Sequence, residues 1–168
     1  TEYFDFGKAF LAQTGQLYLE AAASAFGKVF CFGPTFRAEK SKTRRHLTEF
    51  WMLEAETAFC DTNRNMDLQE DMIASAVEGI LDRCERDLLA LERDTAPLRK
   101  ARPPFPRIDY DEALGILKKK GFDLEWGADI GGDEETALSE SFEKPVFVCN
   151  YPKEIKAFYM KPNPGDPR

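Results

Sequence analysis

An α+β domain, with an antiparallel β-sheet and flanking helices, is what this sequence predicts. Three observations carry that expectation. An Ala-rich segment stopped by glycine precedes a strand–charged loop–strand pattern over residues 28–59. Apolar residues at helical spacing then run from about Asn65 to Leu91. Further strand-like pieces lie towards the end, separated by helical and turn segments rather than in regular β-α alternation.

"LYLEAAASAFG", residues 17–27, is built of helix formers and ends at Gly27, which marks a helix C-terminus. "KVFCFGPTFRAE" is rich in β-branched and aromatic residues and predicts a strand broken at Gly33-Pro34. The charged residues 40–46 form the hairpin loop, and "LTEFWMLEAETAF" is the return strand. Its period of two puts Thr48, Phe50, Met52 and Glu54 on one face and Glu49, Trp51 and Leu53 on the other. Met66, Ile73, Val77, Ile80, Leu81, Cys84, Leu88 and Leu91 then mark one long amphipathic helix, with Asn63 or Asn65 as its cap. "TAPLRKARPPFPR", with its prolines, predicts a surface connection. "IDYDEALGILKKKG" predicts a short helix, with Asp109 and Glu112 at capping-box spacing and a Lys-rich, Gly-stopped end. A Gly-Asp loop and a short acidic helix fill 127–141, and "PVFVCNYP" and "IKAFYM" predict two more strands.

The 168 residues suffice for one domain with a sizeable core. The apolar fraction of 43% and charged fraction of 32% are those of a soluble globular protein, and no apolar run is long enough to cross a membrane. "TEYFDFGK" has neither the basic start nor the apolar stretch of a signal peptide. Cys31, Cys60, Cys84 and Cys149 are widely spaced and there is a single histidine, which argues against a zinc cage and for reduced, mostly buried thiols in the cytoplasm. A formal net charge of -7 disfavours a general coat for nucleic acid, and no DNA partner is expected.

Against that acidic balance, Arg37, Lys40, Lys42, Arg44, Arg45 and His46 crowd one hairpin. A nucleoside triphosphate needs guanidinium forks for its phosphates, an aromatic face for its base and an acceptor for its exocyclic amine. Arg37 and Glu39, two apart on a strand, share a face, and the return strand brings Phe50 back opposite them. Composition alone equally accommodates a solvated turn with spare lysines.

"FRAE", a basic loop and "RHLTEF" resemble the second signature motif of the class II aminoacyl-tRNA synthetases. The wider "TGQLYLE…VFCFGPTFRAEKSKTRRHLTEFWMLEAE" resembles the asparaginyl-tRNA synthetases, with the aspartyl enzymes as near cousins, and "PVFVCNYPKEIKAFYM" resembles the segment leading to their third motif. That resemblance implies ATP-dependent activation of asparagine and its transfer to tRNA(Asn). It implies Arg37 as the catalytic residue on the α-phosphate, Glu39 as acceptor from the adenine amine, His46 at the γ-phosphate and Phe50 stacked on adenine, with Arg44 and Arg45 as helpers. Gln16 and Glu54 would hold the substrate α-amino group, with Thr14 nearby.

The aspartyl relatives carry a pattern like Ser-Pro-Gln-Leu-Tyr-Lys-Gln, whose lysine faces the substrate carboxylate. Here Leu19 stands in its place and Glu20 follows. A pocket carboxylate repels an aspartate side chain yet accepts hydrogen bonds from a carboxamide, so Glu20 favours asparagine. On the resemblance, residues 1–168 are a partial catalytic domain containing the second motif. The anticodon-binding barrel and first motif would precede it, and the third motif and main Mg2+ ligands would follow. The whole enzyme would be a homodimer, and the piece alone would be inactive. Three other readings are an aspartyl-tRNA synthetase, an adenylate-forming asparagine synthetase paralogue and a non-catalytic binding module.

Overall fold

The computed structural model describes residues 7–38 and 46–166. Its helices and strands form two compact units, Thr1–Asp61 and Thr62–Arg168.

In the first unit, helix α1 (Gln16–Phe26) ends at Gly27, whose φ of 78° turns the chain directly into strand β1 (Lys28–Phe36). Strand β2 (Glu49–Thr57) returns antiparallel, with Thr35 opposite Phe50, Gly33 opposite Met52 and Cys31 opposite Glu54. Burial alternates along both strands, because α1 packs on one face of the hairpin. Thr35 and the α1 residues Leu19 and Ala23 are buried. The other face carries Phe30, Phe32, Trp51 and Leu53, all exposed, with the Phe32 and Trp51 rings 5.1 Å apart.

Contrary to the expected break, β1 runs straight through Gly33-Pro34. The register explains why. The Arg37 amide donates to the Thr48 carbonyl at 2.9 Å, so odd-numbered β1 residues bond to β2 and the position of Pro34's missing N–H points away from it. On that outer edge, the neighbouring Phe36 amide donates to the Ala12 carbonyl at 2.8 Å.

The second unit starts with α2 (Thr62–Arg83) and α3 (Glu85–Ala90). The single long helix expected here is therefore two, divided at Cys84, and Asn63 and Asn65 lie within the first rather than at its cap. Met66 and Glu70 are its buried positions, while Ile80 and Leu91, assigned to the apolar stripe, are exposed. The Pro-rich connection is more ordered than its composition predicts: it contains α4 (Ala96–Lys100) and buries Ala101 and Phe105. Strand β3 (Arg107–Asp109) leads into α5 (Tyr110–Lys119), and α6 (Gly132–Ser139) follows. Strand β4 (Phe147–Cys149) pairs parallel with β3. "IKAFYM" is not a strand: a 3-10 turn at Lys153–Ile155 and further turns occupy it, and Phe158 is fully exposed.

Asp109 precedes α5 without making a side-chain cap. Its carboxylate instead accepts from the Asn150 side-chain amide, tying β3 to the segment after β4. Ile108, Tyr110, Ala113, Leu117, Ile130 and Leu138 form the core of this unit. The Tyr110 hydroxyl donates to the Ala128 carbonyl, so this buried ring leaves no polar atom unsatisfied. Arg107 bridges to Asp67 and to the buried Glu70 of α2, which raises the guanidinium's affinity for its proton. Leu117 is completely buried. Leu117→Ala is expected to lower unfolding stability by about 2–5 kcal/mol, read as an earlier urea midpoint at unchanged slope.

All four cysteines are free, but each is partly rather than fully buried. No helix among the described residues is long and apolar enough to cross a membrane.

Candidate functional site

The α1-facing side of the hairpin gathers most of the described candidate residues. Strand alternation puts Cys31, Thr35 and Arg37 on it from β1, and Phe50, Met52 and Glu54 from β2. Arg37 lies just past the end of β1, yet its amide still bonds to Thr48, so its side chain keeps the register of the ladder. Its guanidinium carbon stands 5.4 Å from the centroid of the Phe50 ring. The remaining contacts of Arg37 are weak: Nε donates to the Gln13 carbonyl at 3.4 Å and Nη2 approaches the Met52 sulfur at 3.7 Å. Among the described residues no carboxylate comes within ion-pair distance of it. An exposed guanidinium with no carboxylate in ion-pair distance among the described residues, beside an aromatic face, is arranged to receive an anion.

Glu54 is the most tightly held side chain here. Its Oε1 accepts from the Thr14 hydroxyl, and its Oε2 accepts from the Gly15 amide at 2.8 Å and from the Cys31 thiol at 3.7 Å. The Thr14 bond is the main reason that its carboxyl sits below the usual range. The Gly15 amide, the Cys31 thiol and the charge of Arg37 add to that effect, and burial opposes it. Burial, and after it the same carboxylate, pushes the Cys31 thiol up, so that thiol stays protonated near neutrality.

The entrance to α1 is shaped around this carboxylate. Thr14 Oγ1 accepts from the Gln16 amide at 3.1 Å while donating to Glu54. Gly15 has an ordinary φ of -89°, so close approach rather than backbone freedom demands a glycine. A Cβ there would stand 2.6 Å from Cys31 Sγ and 3.3 Å from Glu54 Oε2. Gly15→Ala is expected to displace the start of α1 and lower unfolding stability by about 1–3 kcal/mol, read as an earlier urea midpoint at unchanged slope.

Gln16 and Glu20 lie one turn apart on α1, and the Gln16 amide donates to Glu20 Oε1 at 3.3 Å. Both are exposed. His46 lies on the return to β2 and is also exposed, whereas Glu39, Arg44 and Arg45 lie outside the described residues. Gly15, Cys31 and the Gln13 carbonyl were missed by sequence reasoning. Cys31 had a signal, because counting back by twos from Arg37 reaches it. The contacts of Gly15 and Gln13 depend on how α1 seats and have no local signature. No three His, Cys, Asp or Glu side chains gather to hold a metal ion among the described residues.

A family model described as tRNA synthetases class II (D, K and N) matches residues 1–168. The chain belongs to this family. Within the class II synthetases of this group, it is 56% identical to the asparagine–tRNA ligase of Herpetosiphon aurantiacus, with 99% of this chain and 40% of that protein aligned. The asparaginyl-tRNA synthetase of Pyrococcus horikoshii, solved with asparaginyl-adenylate, superposes with a TM-score of 0.93 at 50% identity, over 100% of this chain and 38% of that one. An aspartyl-tRNA synthetase from Entamoeba histolytica superposes less well, with a TM-score of 0.77 at 31% identity over 94% of this chain and 34% of the other. The chain thus spans about two fifths of the length of the curated relatives it matches. The mixed helix-and-strand fold with an antiparallel hairpin agrees with these synthetase structures.

Proposed function

We propose that the complete protein activates asparagine with ATP to asparaginyl-adenylate and transfers the asparaginyl group to tRNA(Asn). The single observation that carries this reading is the Arg37–Phe50 pair, a guanidinium and a ring 5.4 Å apart on adjacent antiparallel segments, on the same hairpin face as Glu54. The likeness to a synthetase solved with asparaginyl-adenylate supports it, as does the higher TM-score against that enzyme, 0.93, than against the aspartyl enzyme, 0.77.

In the first step the asparagine carboxylate attacks the α-phosphorus of ATP, a carboxyl O–P bond forms, and pyrophosphate leaves. No protein base is required, because the nucleophile is already ionised. The protein's work is positioning and charge stabilisation. Arg37 stabilises the negative charge that builds on the α-phosphate oxygens, and Phe50 stacks on adenine. Glu39 accepts from the adenine amine, and Arg45 and His46 meet the outer phosphates. Glu54 and Gln16 take the substrate α-ammonium, and Thr14 orients Glu54. Glu20 accepts from the substrate carboxamide. In the second step a terminal ribose hydroxyl of the tRNA attacks the acyl carbonyl and AMP leaves. The described residues do not offer Mg2+ a donor set, and every role above belongs to the chain's own side chains.

We read the chain as the second-motif part of a catalytic domain. The exposed Phe30, Phe32, Trp51 and Leu53 face supports this, since apolar surface of that kind is ordinarily covered by further protein. A homodimer in the cytoplasm is the assembly and compartment that the reading implies, and the four free thiols fit a reducing environment. Asparagine-dependent exchange of pyrophosphate into ATP by the complete gene product is the test. Exchange with asparagine, at least a hundredfold above that with aspartate, is expected. Exchange driven by aspartate instead sinks the amide assignment, and none with either sinks the reading.

A further inference from the structure

We propose that Cys31 is a positioning residue of this site, its neutral thiol fixing the Glu54 carboxylate so that Oε1 faces the substrate ammonium. The proposal rests on the functional reading above and goes beyond it by giving a role to a side chain outside the second-motif signature.

The geometry starts from the ladder. Cys31 and Glu54 are directly opposed, and both point to the face on which α1 packs. The thiol lies 3.7 Å from Oε2, and the Gly15 amide lies 2.8 Å from the same oxygen. Among the described residues, Oε1 holds the Thr14 hydroxyl alone. A carboxylate offers about four lone-pair sites, two on each oxygen. Three donors fill three of them here, and the vacant site is on Oε1. An ammonium donor arriving at Glu54 therefore has one unoccupied direction, and Cys31 helps to close the others.

A cysteine suits this position for two reasons. Its sulfur occupies the space that a Cβ on residue 15 would need, standing 2.6 Å from that point, so thiol and glycine are mutually fitted. Its hydrogen is held on first by burial and then by Glu54, because a thiolate in that setting beside a carboxylate is disfavoured. Glu54 stands directly opposite it, and by strand alternation Glu56 of β2 and Arg37, past the end of β1, lie further along the same face.

Two measurements on the complete gene product test the proposal. Steady-state exchange kinetics compare Cys31→Ala and Cys31→Ser with the unsubstituted protein. Loss of one weak donor is expected to raise KM for asparagine about three- to tenfold in Cys31→Ala. Both kcat and KM for ATP should stay within about twofold, and Cys31→Ser should return KM for asparagine to the parental value. An unchanged KM for asparagine in Cys31→Ala overturns the role. So does an equal loss in KM for both substrates, which marks general loosening of the hairpin.

The second measurement needs no substrate. Alkylation at pH 8, resolved by mass spectrometry at each cysteine, should be several-fold faster at Cys31 in Glu54→Gln, while Cys60, Cys84 and Cys149 keep their rates. Equal rates at Cys31 in both proteins overturn the thiol–carboxylate contact. If the contact is found but the unsubstituted protein shows no asparagine-dependent exchange, the functional reading has failed and the positioning role falls with it. That outcome is distinct from a failed contact.

Discussion

Arg37→Ala in the complete gene product is expected to lower kcat/KM for asparagine-dependent pyrophosphate exchange by about 10²–10³-fold or more, the range seen when a preorganised transition-state donor is removed. The loss should fall chiefly on kcat, since the charge that Arg37 meets grows as the α-phosphate is attacked. Two structural facts make the effect large. The guanidinium has no close carboxylate partner among the described residues, so its charge is available to the substrate. Its position is set by a ladder bond to Thr48 and by the Phe50 ring, so a shorter side chain cannot swing in to replace it. Arg37→Lys should recover only part of the loss, because a point charge lacks the planar fork that spans two phosphate oxygens. Phe50→Leu offers a contrast: it should raise KM for ATP and leave KM for asparagine nearly unchanged. A kcat within threefold of the parental value in Arg37→Ala would remove the catalytic role assigned here.

Glu54→Gln is expected to raise KM for asparagine about ten- to a hundredfold, with KM for ATP little altered, because the α-ammonium loses a charged acceptor in a partly shielded site. The same variant has a consequence for stability. In the folded chain the Glu54 carboxyl sits below its ordinary value of 4.5, chiefly through the Thr14 hydroxyl. The folded state therefore favours the ionised form. That contribution is fully present above the unfolded-state value and is lost as pH falls through the lower folded-state value. Thermal melts of the parental protein should thus fall on acidification below about pH 4.5 more steeply than melts of Glu54→Gln, which has no proton to take up there. Parallel curves for the two proteins would show that Thr14 and Gly15 do not hold the carboxylate in solution.

Much of this site was legible because a β-hairpin is a two-residue code. Given a return strand, Phe50, Met52 and Glu54 had to share a face, and the register shows them doing so. The end of α1 was equally plain, since Gly27 takes a positive φ that other residues resist. The errors arose where local preference met a neighbour. Pro34 looked like a strand breaker, but its missing N–H falls on the side of β1 that makes no bond to β2. The Pro-rich segment 95–107 looked like a surface link, yet Phe105 is buried. "IKAFYM" had the composition of a strand but has no partner strand among the described residues, and a strand without a ladder is not stable. Asp109 looked like a capping residue until Asn150 claimed its carboxylate.

By itself, then, the order of residues determined the hairpin, its two faces, the helix that stops at Gly27 and the meeting of Arg37 with Phe50. These depend on backbone periodicity and on glycine's freedom at positive φ, both of which act between near neighbours in the chain. Only the tertiary structure decided that Glu54 is ringed by Thr14, Gly15 and Cys31. Residues 14 and 54 are 40 positions apart, and their contact follows from how α1 seats on the sheet. That seating is a packing outcome summed over many side chains, and no short stretch encodes it.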